Sequence, residues 1–111
     1  MKWTSWVVAA AMVASVNSPR ADVVAQGAGT VSCATFAKTE ITESRFFHWA
    51  QGFMSGLNAP DARVSGRARD LSSMAPEDQQ RFLRKYCKEH PLADYIQGVL
   101  ELYSQLKFAK P

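Results

Sequence analysis

Apolar side chains gather in four groups along this chain. Trp6 to Val16 is a nearly continuous apolar run of eleven residues. Phe46, Trp49, Ala50, Phe53 and Leu57 then recur at steps of three and four, the spacing that puts side chains on one face of a helix. Phe82, Leu83, Tyr86 and Cys87 repeat that spacing, as do Leu92, Ile96, Val99, Leu100, Tyr103 and Leu106. No segment alternates apolar and polar residues as a half-buried strand does. The pattern predicts an all-α domain of three to four helices.

Boundary residues define these elements further. Cys33 to Lys38 is predicted as one short turn with Phe36 pointing inward, and Gln26 to Ser32, rich in small residues, as a flexible leader to it. The first main helix is predicted from Glu43 to Leu57, capped by Thr42 with Glu43 in its first turn. Asn58, tolerant of a left-handed cap, and Pro60 are expected to end it. Gly52 and Gly56 lie four apart inside that helix, each costing about 1 kcal/mol against alanine. That cost suggests a flat strip for close helix packing, with Gly98 of the last helix as its counterpart. Pro60, Asp61, Ser65 and Gly66 mark a loop across Asn58–Asp70, which Arg63, Arg67 and Arg69 keep solvated. Pro76, followed by Glu77 and Asp78, opens the second helix, and Lys85 and Lys88 near its end suit the dipole. His90-Pro91 stops it, and Pro91 is expected to open the third.

The N-terminal run changes how the rest is weighed. It is too short for a bilayer span, which needs about 20 residues, and it follows the positive start Met1-Lys2, as in a secretory signal peptide. Val23-Val24-Ala25 favours cleavage after Ala25, with Ala21 as the alternative. The expected organisation is therefore a signal peptide over 1–25 and one helical domain over 26–111, periplasmic or secreted, with no membrane association after cleavage. That domain carries eleven Lys/Arg and nine Asp/Glu, a balance too mild and scattered for a nucleic-acid footprint. Both cysteines, Cys33 and Cys87, fall within it. An even number in an exported chain points to a structural disulfide; free thiols and a redox pair are the alternatives, but no Cys-x-x-Cys arrangement supports the latter. The bridge would close a loop of about 55 residues and contribute roughly 4 kcal/mol on the chain-entropy model. A small core needs such help.

Candidate chemistry is sparse. His48 and His90, the only histidines, form no ligand cluster with cysteines or carboxylates, so no metal or cofactor is expected. Glu40 with Glu43, and Glu77 with Asp78, lie at helix starts where acids suit the dipole. No nucleophile motif or phosphate-binding glycine loop occurs. The chain is not expected to be an enzyme. Ionisation is its remaining lever: protonating nine carboxylates and charging both histidines moves the side-chain balance of 26–111 from +2 to +13.

Cys33-x-x-Phe36 and Tyr86-Cys87-Lys88-Glu89-His90-Pro91 resemble the HdeA/HdeB acid-stress proteins of the periplasm. That resemblance implies a small helical protein stapled by a Cys33–Cys87 bridge, a homodimer that dissociates in acid, and acid-activated chaperone function. The central Trp49-x-x-Gly52-Phe53-x-x-Gly56 segment looks more like the Tai-type immunity proteins of type VI secretion, which are small periplasmic inhibitors. Two expectations follow. One is a chaperone that exposes Phe46, Trp49, Phe53 and Leu57 to unfolded clients at low pH. The other is an inhibitor presenting a fixed surface, such as Asn58–Asp70, to one specific partner.

Overall fold

A computed structural model describes residues 25–39, 43–64 and 66–110. Residues 1–24 of the expected signal peptide, Glu40 and the expected cap Thr42 lie outside the described residues. The fold is all-α: after a 3-10 turn over Gly27–Thr30 come α1 (Cys33–Lys38), α2 (Glu43–Val64), α3 (Pro76–Glu89) and α4 (Tyr95–Gln105). The described residues contain no strand, only the isolated bridges Ser32–Asp94 and Arg69–Phe108.

Local chemistry accounts for the helix starts. The Ser32 hydroxyl accepts from the Thr35 N–H at 3.1 Å and caps α1. Pro76 begins α3 with Glu77 and Asp78 beside the positive dipole end. Asp94 caps α4 in a reciprocal box, its own N–H donating to Gln97 Oε1 at 2.8 Å. This corrects the expected start at Pro91. The Pro91 and Ala93 carbonyls accept from the Ala34 and Cys33 N–H groups, so this connection caps α1 instead of joining a helix. Leu92, left outside the apolar stripe, is 98% exposed.

The helices close around Phe36, Met54, Leu83, Tyr95, Val99, Leu102 and Leu106, all buried. Cys33 and Cys87 are disulfide-bonded at the centre, with Cα atoms 4.5 Å apart, joining α1 to α3. On α2 the buried line is Phe47, Ala50 and Met54, whereas Phe46, Trp49, Phe53 and Leu57 are half-buried beside it. The period matches, with Ala50 common to both faces, but the buried face is turned by roughly 75° around the helix.

The glycine strip is corrected as well. Gly52 and Gly56 are exposed, and an added Cβ at either would meet nothing within 4 Å. Gly98 does mark a close approach, but to the Tyr86 ring of α3, whose Cδ1 would lie 2.9 Å from its Cβ. Gln26 to Ser32 is not a loose leader. Its 3-10 turn is strapped over Trp49, whose Nε1 donates to the Gln26 carbonyl at 3.0 Å, and buried Gly29 leaves room for the indole.

Helix α2 does not stop at Asn58 but continues through Pro60 to Val64. Proline inside a helix removes one hydrogen bond and costs about 3 kcal/mol. Tertiary contacts offset this. Asn58 is not in the left-handed region; its amide pairs with Arg69, donating to the carbonyl and accepting from the N–H, each at 2.8 Å.

Candidate functional site

The candidate surface of Phe46, Trp49, Phe53 and Leu57 is an aromatic ledge along α2. Phe46 packs against Phe36 of α1 and Tyr95 of α4, with ring centroids 5.0 and 5.1 Å away. Trp49 stacks on Phe53 at 5.1 Å, with planes 11° apart, and reaches Tyr95 at 6.2 Å. The structure therefore brings Phe46, Trp49 and Phe53 into one cluster centred on Tyr95. Leu57 is half-buried one turn further on. Burial, together with the Glu43 charge, pushes the Tyr95 hydroxyl far up from its ordinary value.

Polar groups hold both ends of this ledge. At the start of α2, Glu43 accepts from Arg84 Nε of α3 at 3.0 Å. The other two nitrogens of the same guanidinium donate to the Phe36 and Thr39 carbonyls at 2.9 and 2.7 Å, capping the C-terminus of α1. The guanidinium also lies 4.3 Å over the Phe36 ring. One arginine thus ties α1, α2 and α3 together. Near the end of α2, the Tyr103 hydroxyl of α4 lies 2.8 Å from both Asn58 Oδ1 and Asp61 Oδ2. Burial and the Asp61 carboxylate push that hydroxyl up to about 12.

The arginine-bearing segment is fastened rather than loose. Arg69 donates to the Ser104 and Leu106 carbonyls at the negative end of α4, at 3.2 and 2.9 Å. Its guanidinium and that of Arg67 lie 3.9 and 4.3 Å from the half-exposed Phe108 ring. Beside it, Asp70 accepts from the Ser72 hydroxyl and N–H, which lowers its carboxyl from the ordinary value. Gln79, buried on α3, donates to the Leu71 and Met74 carbonyls at 2.8 Å each and pins the incoming loop. A partly open cavity of about 340 Å³ lies between that loop and α2, floored by Met54, Leu71 and Met74.

No periodicity marks Arg84 or Gln79, because each owes its role to partners 5 to 48 residues away in sequence, whereas Tyr95 continues the three- and four-residue spacing of Val99, Leu102 and Leu106. With Arg81, Lys85 and Lys88 on the same helix, nothing local sets Arg84 apart. His48 and His90 are exposed and far from being joined in a site; His90 stacks on Tyr86 at 4.3 Å. Asp78 pairs with Arg81 on the surface of α3. Among the described residues no group of three His, Cys, Asp or Glu is placed to hold a metal ion, and no helix is long and apolar enough to cross a membrane.

The fold and this ledge define a small disulfide-tied four-helix domain built around an aromatic cluster. Comparison of the chain with family models, curated proteins and solved structures finds no match.

Proposed function

We propose that this protein is an exported acid-responsive chaperone whose ledge of Phe46, Trp49, Phe53 and Leu57 binds unfolded clients. The observation that carries this reading is the ledge itself: three clustered aromatic rings, half-covered in the fold and flanked by the acceptor carboxylates Glu43 and Asp61. Acid removes the charge from carboxylates, Glu43, Asp61 and Asp70 among them, so the net charge of the domain becomes strongly positive. Contacts that cover the ledge weaken together, while the buried disulfide limits how far the chain expands. Newly exposed aromatic surface is the kind that binds other unfolded chains.

The test is sedimentation with near-UV circular dichroism on the oxidised 26–111 chain at about pH 7 and about pH 2.5, followed by client-aggregation assays. Loss of tertiary signal with helix retained, and suppression of client aggregation only in acid, are expected. A packed species at both values overturns the proposal.

One observation favours a second reading, an inhibitor or immunity protein for a single partner. The segment from Asn58 to Asp70 is held by Asn58–Arg69 and by the α4 carbonyls, and it displays Arg67 and Arg69 around Phe108. A rigid display of arginine and aromatic groups is typical of binding hot spots. Under this reading the domain stays folded in acid, and Phe108→Ala abolishes capture of its partner.

A further inference from the structure

We propose that α2 is the element that leaves first in acid, swinging off a body of α1, α3 and α4 that remains assembled. This rests on the acid-responsive reading above and names how that response is regulated.

The two sets of contacts differ in kind. Within the body, α1 is joined to α3 by the buried Cys33–Cys87 bridge. It is joined to the start of α4 by backbone hydrogen bonds: Cys33 N–H to Ala93 O, Ala34 N–H to Pro91 O, and Tyr95 N–H to Val31 O, at 2.7 to 3.2 Å. Helices α3 and α4 meet where the Tyr86 ring lies on buried Gly98. None of these contacts contains a group that protonates in acid.

Helix α2 is held differently. Its side-chain polar attachments to the helices of the body stand at its two ends and include a carboxylate at each, Glu43 at the first and Asp61, beside the Asn58 amide, at the second. Glu43 faces Arg84 and Lys88 of α3 and Tyr95 of α4. Asp61 faces the Tyr103 hydroxyl of α4, with Arg69 beside that ring. Protonated, both carboxyls stop countering these cations, which leaves Arg84 and Lys88 uncompensated beside the start of α2. Gly66, at φ +66°, turns the chain beyond the helix in the left-handed region that glycine adopts without strain. What α2 uncovers is specific: its own Phe46, Ala50, Phe53 and Met54, and the facing rings Phe36 and Tyr95.

Hydrogen exchange on the oxidised protein tests this, reading protection factors helix by helix from about pH 7 down to about pH 3. The expected result is that α2 amides lose protection at least roughly tenfold more than those of α4. The double variant E43Q/D61N, checked for retained helix content and an intact disulfide, is expected to show that selective loss already at neutral pH, with its pH dependence flattened. Uniform loss across all helices overturns the inference, as does a folded double variant with the wild-type pH profile. If that variant does not fold, the wild-type exchange pattern decides alone. Selective opening of α2 without client protection overturns the chaperone proposal and leaves this one standing; client protection with uniform loss does the reverse.

Discussion

Removing the Arg84 side chain is expected to destabilise this domain far more than an ordinary helix-surface arginine. The guanidinium makes three hydrogen bonds of 2.7 to 3.0 Å and covers the Phe36 ring, with 17% of its side chain exposed. Hydrogen bonds to charged groups contribute about 1.5–3 kcal/mol each when buried, and the sum falls short of additive because they share one donor. The Phe36 and Thr39 carbonyls at the end of α1 partly regain water in the variant, and Glu43 is 33% exposed, so screening reduces the ion-pair share. A net loss of about 2–4 kcal/mol follows for Arg84→Ala. In a domain this size each kcal/mol moves the melting midpoint by about 4–8 °C, so a fall of about 10 °C or more is expected by calorimetry. Arg84→Lys retains the charge but not the three-way fork, and belongs in between. A loss below about 0.5 kcal/mol for Arg84→Ala, the size expected of an unengaged surface residue, refutes the reasoning.

Other perturbations separate the glycines and the acid groups. Gly52→Ala and Gly56→Ala place a methyl in open space on an exposed helix face, so each is expected to raise stability by about 0.5–1 kcal/mol in chemical denaturation. Gly98→Ala pushes a methyl against the Tyr86 ring at 2.9 Å and is expected to cost about 1–3 kcal/mol in the same assay. Asp70 has a lowered carboxyl in the folded state, so its contribution is present above the unfolded value of 3.8 and lost as pH falls through the lower folded value. Asp70→Asn is therefore expected to lower stability at neutral pH and to flatten its decline in strong acid, read from urea midpoints across pH.

The all-helical class, a count of three to four helices and the disulfide were written in the sequence, because they rest on local signals. Three- and four-residue spacing of apolar side chains, Pro76 with two acids after it, and two cysteines in one small domain each act through neighbouring residues or simple counting. Where a helix ended, and which residues joined its ends to the rest, was decided only in three dimensions. Asn58 and Pro60 carry a stop signal, yet the amide of Asn58 finds the Arg69 backbone and α2 runs on to Val64. Gly52 and Gly56 have the spacing of a packing strip but face outward, while Gly29, with no periodic context, lies beneath the Trp49 ring. Arg84 reads as one cation among several in α3 until the fold sets three acceptors from two other segments around it. Local propensity costs a fraction of a kcal/mol to a few kcal/mol per residue, which a few well-formed tertiary hydrogen bonds match. The element types were thus legible in the chain itself, and the contacts that cover the aromatic ledge were set by the packing.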